Sequence, residues 1–342
     1  MTIQLKPLAE QRIVITGASS GIGLATARMA ASRGARVLLA ARDETALHEI
    51  CRRIERDGGT AEYLATDVGS EDAVQQLAGR ALERFGGFDT WVNVAGIGLV
   101  GPLRDIQTED HRRVFDTNYW GVVYGSLAAA HHFRERKTAG AIINLGSAAS
   151  DIQVPFAAPY AATKFAIKGF TDSLRIELMQ EKLPVGVTLI KPSTIDTGFF
   201  EHARTTSGAP LKAPPPRYSP DVVARAILYA AEHPKRSIPV GSAAAFGGTL
   251  AWLFPGLTER ALSMVGPEAV ADREHPREGP DALRGVPDEG QERSGWYAAR
   301  TFSVTTAAQT HPVGTLALAL VLSGLTVATI PSVRRRLGWS KS

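Results

Sequence analysis

RIVIT at Arg12–Thr16 passes directly into GASSGIG at Gly17–Gly23, joining an apolar strand to a glycine-rich turn that opens a helix. The spacing is Gly-x-x-x-Gly-x-Gly. Glycines let the backbone approach a pyrophosphate closely, and the helix N-terminus presents free N–H groups and the positive end of its dipole. The stretch nominates Gly17, Ser19, Ser20, Gly21, Ile22 and Gly23 as cofactor-binding residues, with a tight structural turn as the alternative. Further short apolar runs follow at Arg36–Ala40, Glu62–Ala65, Thr90–Val94, Ala141–Leu145 and Val187–Ile190, and Ile238–Val240 suits a last strand. Between them Gly23–Arg33, Glu71–Phe85, Arg112–Arg134 and Tyr160–Lys182 have helical length and periodicity. Alternating strands and helices predict an α/β fold, a doubly wound parallel sheet with ligands at the carboxyl ends of its strands.

Those strand ends carry the next candidates. After the second run, Ala41 stands where an acid would bind ribose hydroxyls, and Arg42 follows it. A base there accommodates a 2′-phosphate, so NADP(H) is expected over NAD(H). The competing reading makes Arg42 a solvated loop cation and Asp43 the cap of the next helix. Asp67 and Val68, after the third run, are placed to meet an adenine ring, although an Asp there equally suits a turn or helix cap.

Further along, Ser147 follows the Ala141–Leu145 run, and Tyr160 and Lys164 stand four positions apart at the start of a helical stretch. Residues i and i+4 share a helix face, so phenol and ammonium address one site. A free phenol, with a pKa of about 10, is a poor acid or base near neutrality; a neighbouring ammonium stabilises its ionised form. Ser147 can hold a substrate oxygen while the proton moves.

Together these residues resemble the short-chain dehydrogenase/reductase family, over roughly residues 10–245. The motifs are the TGxxxGxG turn at Thr16–Gly23 and Tyr-x-x-x-Lys with its upstream serine. Asn93-Val94-Ala95-Gly96 is similar to the family's NNAG segment, which adds Asn93, Ala95 and Gly96 as cofactor-site candidates; Val94 replaces the second Asn. Asn118 matches the helix asparagine of the catalytic tetrad, with a buried structural amide as its other reading. Pro192, Ile195 and Thr197 fall in a segment like the family's Pro-Gly-x-x-x-Thr near the nicotinamide, with Ser193 in place of Gly. The resemblance implies a Rossmann fold in which Tyr160 is the general acid/base and Lys164 lowers its pKa and binds ribose. It further implies that Ser147 orients the substrate and Asn118 supports a water relay.

The totals exclude other classes. Lys and Arg exceed Asp and Glu by 38 − 34 = 4 in 342 residues, too few and too scattered for a nucleic-acid binder. One cysteine, Cys51, makes no intramolecular disulfide, and no secretory signal opens the chain, so a cytoplasmic location is expected. The eight histidines lack metal-ligand spacing, and His131-His132 reads as a helix-surface pair. Residues 1–265 are expected to form one catalytic domain with a lid near 199–220, where Phe199, Phe200, Pro210 and Leu211 suggest a hydrophobic substrate. Ser219 suits the N-cap of a helix at Pro220–Glu232. Trp252, Phe254 and Leu257 read as the wall of an apolar pocket or as an interfacial contact. Residues 266–311 read as a flexible polar linker. After it come an uncharged run of 18 residues, Val313–Ile330, and the cluster Arg334–Arg336, which suit a shallow, membrane-associated helix better than a spanning one. Further copies of the chain are expected partners. Two rival functions remain: a regulatory NADP-binding scaffold, and an epimerase or dehydratase of the same fold.

Overall fold

The computed structural model describes residues 3–275, 279–287 and 290–310. Seven parallel strands form its central sheet: β1 Arg12–Thr16, β2 Arg36–Ala41, β3 Thr60–Ala65, β4 Thr90–Asn93, β5 Gly140–Leu145, β6 Val185–Pro192 and β7 Ser237–Val240. Their order is β7-β6-β5-β4-β1-β2-β3, which puts a reversal of winding, and hence a crevice, at the carboxyl ends of β1 and β4. This is the doubly wound Rossmann-like arrangement.

Helices cover both faces because successive strand side chains point to opposite sides. Ile13, Ile15, Val37 and Leu39 pack in one layer with side chains of α1 Gly21–Ala31 and α2 Glu44–Arg56. Val14, Leu38, Trp91 and Ile142 pack in the other with α3 Glu71–Phe85 and, beyond α4 Thr108–Phe115, with α5 Gly121–Arg136 and α6 Ala158–Gln180. Helix α7, Pro220–Glu232, completes the first layer and is capped by Ser219, whose hydroxyl accepts from the Asp221 N–H. Each large aliphatic side chain buried this way contributes on the order of 2 kcal/mol.

Two local expectations are corrected. The stretch Arg112–Arg134 is not one continuous α-helix: a single π turn, Asp116–Trp120, separates α4 from α5. Within that turn the Asn118 side chain binds both backbone groups of Ile97. His132 is not on the surface. It is buried, its ring stacks on Phe88 with centroids 4.0 Å apart, and burial lowers its pKa, which keeps the imidazole neutral.

The polar segment after residue 265, whose composition predicts a flexible linker, makes contacts with the rest of the chain at its described residues. After α8 Ser242–Leu253 and α9 Pro255–Ser263, its charged residues pair with charges on the catalytic body. Arg284 binds Asp110, Asp281 binds Arg204, Glu292 binds Arg28, and Arg293 binds Asp196. Leu283 is buried beside Ile97, Leu99 and Val114. A last described helix, α10 Val304–Thr310, packs by β7, where Thr306 accepts a hydrogen bond from the Gly241 N–H. The apolar run 313–330 and the basic cluster 334–336 lie outside the described residues. Among the described residues no helix is long and apolar enough to cross a membrane.

Candidate active site

A cavity of about 760 Å³ opens along the carboxyl ends of the strands. The turn 17–23 forms one wall, and its glycines are required by contact. Gly17 has φ +66°, and a Cβ there would sit 2.7 Å from the Ala95 backbone. At Gly23 a Cβ would lie 1.9 Å from the Gly17 carbonyl oxygen. The turn is therefore folded against its own helix and against the Val94–Ala95 segment, leaving a cradle that side chains would fill. Ser19, Ser20, Gly21 and Ile22 line the same wall.

Arg42, Asp67 and Val68 border the cavity beyond the turn. Asp43 caps α2 by accepting from the Ala46 N–H, so the neighbouring acid is committed to structure. Arg42 donates to the Ala282 carbonyl at 2.9 Å. Asp67 makes the turn the alternative reading described, accepting from the Gly69 N–H, and it pairs with Arg113 at 2.6 Å. Burial alone would raise its pKa, but Arg113, Gly69 and the charge of Arg42 together hold it below the usual carboxylate value.

The acid/base candidates converge at the other side. Ser147 ends the strand–turn connection after β5, with its hydroxyl accepting from the Ala149 N–H, and it lines the cavity together with Tyr160. Tyr160 is open to the cavity and otherwise enclosed, its ring 5.4 Å from that of Phe199. Lys164, one helical turn along α6, is buried; its Nζ donates to the Leu145 carbonyl at 3.0 Å and lies 5.5 Å from the centre of the Tyr160 ring. Burial pushes the Lys164 pKa down to about 8. Burial also raises the Tyr160 pKa, an effect that the nearby Ser147 hydroxyl only partly offsets. The Tyr160 pKa is thus raised where the ammonium was expected to lower it, because desolvation of the phenolate dominates.

Pro192, Ile195 and Thr197 line the cavity at the end of β6. Ser193, in the position where glycine was expected, also lines the cavity, and its hydroxyl accepts from the Ala244 N–H in the first turn of α8 at 3.0 Å. Two nominated residues stay out of the cavity. Asn93 turns to the far side of β4, where it bonds Asn144 at 2.9 Å and accepts from Trp91; strand alternation puts Val94 and not Asn93 toward the cleft. Asn118 is fully buried, and its amide is spent on Ile97 and Thr163. Its side chain braces the site from behind.

Phe199, Phe200 and Leu211 form part of the apolar wall as the lid composition suggested, whereas Pro214 and Pro215 take part in place of Pro210. Trp252, Phe254 and Leu257 do not. They project outward from α8, α9 and the junction between them, and Leu262, Val265 and Val270 wall the cavity there. Sequence reasoning missed those three, together with Ala157 and Ala282, since small or aliphatic residues carry no local signal of lining a cleft.

A family model described as short chain dehydrogenase matches residues 11–208. An uncharacterized oxidoreductase, YxnA of Bacillus subtilis strain 168, is 45% identical over 306 residues, covering 88% of this chain and 86% of its own. A 3beta-hydroxysteroid dehydrogenase 1 of Eggerthella lenta is 37% identical over 191 residues, 56% of this chain and 72% of its own. Among solved structures, a short chain dehydrogenase/reductase from Burkholderia phymatum in complex with NAD is similar, with a TM-score of 0.65 and 26% identity, covering 75% of this chain and 96% of its own. An alcohol dehydrogenase from Thermococcus sibiricus complexed with 5-hydroxy-NADP has a TM-score of 0.58 and 25% identity, covering 67% and 95%.

Proposed function

Because the chain belongs to the short chain dehydrogenase family, we propose that it is an NADP(H)-dependent oxidoreductase acting on a hydrophobic ketone, aldehyde or secondary alcohol. When bound, the nicotinamide supplies or takes the hydride. The chain's own residues handle the proton. The observation that carries this reading is the convergence of Ser147, Tyr160 and Lys164 on one cavity with an apolar wall, Lys164 standing one turn from Tyr160 on the same helix face. In reduction, Tyr160 donates its proton to the substrate oxygen while Ser147 hydrogen-bonds that oxygen. A raised phenol pKa suits this direction, since the proton is in place before the reaction. Lys164 then stabilises the phenolate and would hold the ribose of the bound cofactor. Asn118 holds the Ile97 backbone and Thr163, the neighbour of Lys164, so it supports a proton relay through framework rather than by direct contact.

The glycine cradle fits a pyrophosphate, with the N-terminus of α1 beneath it. Arg42 at the cavity edge, with no acid at position 41, favours a 2′-phosphate. The relatives named for alcohols and hydroxysteroids support a hydroxyl or carbonyl substrate. A binding scaffold has no need of a serine–tyrosine pair facing an apolar cavity, and an epimerase or dehydratase would consume no NADPH. The test is NADPH oxidation across ketones, aldehydes and steroids, with both cofactors titrated. NADPH is expected to bind at least about tenfold more tightly than NADH, and Arg42→Ala to close most of that gap, as the loss of one charge-assisted hydrogen bond implies. Equal affinities in the parent protein would remove the role of Arg42, and no NADPH consumption with any carbonyl would favour the rivals.

A specific surface also supports work at a lipid membrane. Phe246, Leu250, Trp252, Leu257 and Met264 are exposed on α8, α9 and just beyond, on helices that also contribute Ala243 and Leu262 to the cavity wall. An apolar crest of this kind, followed in sequence by the uncharged run 313–330 and Arg334–Arg336, suits contact with anionic lipid and entry of a lipophilic substrate from it. The full chain is expected to co-sediment with phosphatidylserine-containing vesicles, and Trp252→Ser with Leu257→Ser to weaken this several-fold. Equal recovery with and without vesicles would rule it out.

A further inference from the structure

The strongest unexplained feature ties the part of the chain that the family model matches to a segment beyond it. The Asp196 carboxylate is completely shielded from solvent. Its partners come from the far end of the described chain: Arg293 Nε donates to it at 2.7 Å and Ser294 Oγ at 2.6 Å. Asp196 is the immediate neighbour of Thr197, the residue proposed to face the nicotinamide. The same stretch reaches the glycine turn through its backbone. The Gly21 N–H donates to the Gln291 carbonyl at 2.9 Å, and the Gly290 N–H donates to the Ser19 carbonyl at 2.8 Å.

These two anchors meet at one place. A Cβ built on Gly21 would stand 3.1 Å from the Thr197 methyl, so the glycine turn and the loop after β6 touch each other here. Residues 290–294 run across that junction and bind both sides of it. Earlier in the same segment, Ala282 takes a hydrogen bond from Arg42 at the adenosine end, and Leu283 is buried next to Ile97. The extension therefore touches the cleft at both ends of the space a dinucleotide would occupy.

We propose that Arg293 and Ser294 are positioning residues for the dinucleotide, pinning residues 290–294 across the junction of the glycine turn and the Thr197 loop. This rests on the dinucleotide reading of the cleft given above. A carboxylate with no access to water needs its cation and its hydrogen bonds; deprived of them, it is driven toward solvent and takes its segment with it. Loss of Arg293 therefore frees the Thr197 loop and slackens the contact on Gly21. The bound dinucleotide then leaves sooner, while the Ser147–Tyr160–Lys164 group, carried on β5 and α6, keeps its geometry.

The experiment preloads the full-length protein with NADPH, chases with excess NADP+, and follows nicotinamide fluorescence in stopped flow, with steady-state KM and kcat measured alongside. Arg293→Met is expected to speed release and raise the KM for NADPH by about tenfold, with kcat reduced by less than about threefold, as befits loss of a charge-assisted hydrogen bond remote from the reacting atoms. Ser294→Ala should speed release by about threefold, and Arg293→Lys should recover part of the loss because it restores the charge without the fork. If Arg293→Met does not fold, Ser294→Ala decides. Release rates equal to the parent in the folded variants overturn the proposal and leave the dinucleotide reading intact. Failure of the parent to bind NADPH or NADH overturns that reading, and the proposal with it.

Discussion

Tyr160→Phe is expected to bind NADPH as the parent does and to lose turnover by about 10²–10⁴-fold, the range that general acid catalysis supplies. The substitution removes one oxygen and leaves the ring, which packs 5.4 Å from Phe199, in place. Fold and cleft shape are therefore kept, and the missing element is the proton that must reach the substrate oxygen. Ser147 cannot take over, because an aliphatic hydroxyl is a far weaker acid than a phenol. The companion measurement is a pH profile. The Lys164 ammonium is depressed to about 8, so its charge is present below that pH and lost above it. Since the charged form stabilises the phenolate left after proton donation, kcat/KM for reduction should decline as pH rises through about 8. Lys164→Arg should retain its charge and move this limb upward. Parent-like turnover by Tyr160→Phe would end the assignment of the general acid.

The parts of this molecule that were legible in the sequence are those whose cause is local. Alternation in RIVIT follows from side chains pointing to opposite faces of a strand, and the order of strands and helices follows from both faces being buried. The spacing of Tyr160 and Lys164 is one helical turn, so their meeting needs no knowledge of the rest of the fold. What escaped depends on distant partners. Asn93 sits at the end of a cleft-forming strand, yet its direction is decided by Asn144, opposite it in register on β5. His132 reads as half of a surface pair until Phe88 is brought under it. The segment after residue 265 has the composition of a linker, because Asp, Glu and Arg bury little apolar area by themselves. Its counter-charges are supplied by residues such as Asp110, 174 positions from Arg284, which no window along the chain would connect. The tyrosine pKa escaped for a related reason: the Tyr–Lys spacing places the cation, but desolvation is set by the whole cavity wall.

Gly23→Ala carries the other large effect, an expected loss of NADPH affinity of at least about 100-fold, equivalent to about 2.7 kcal/mol. The new methyl would stand 1.9 Å from the Gly17 carbonyl oxygen and 2.6 Å from its carbonyl carbon. Both are backbone atoms, so no side chain can rotate away to make room. Either the first turn of α1 moves outward or the Gly17 peptide rotates. The second route is obstructed, since Gly17 is held at φ +66° against the Ala95 backbone. Outward movement opens the cradle and withdraws the helix N-terminus from the place a pyrophosphate needs it. A cost in stability of about 1–3 kcal/mol should accompany this, as for other overpacked interiors. The control is Gly169→Ala in α6, where a built Cβ meets nothing within 4 Å. There the added methyl should leave binding unchanged and raise stability by up to about 1 kcal/mol, because alanine is the better helix former. Fluorescence titration with NADPH and thermal melts of both variants separate the outcomes. An affinity for NADPH in Gly23→Ala within about threefold of the parent would mean that the turn does not bind the pyrophosphate through its close backbone approach.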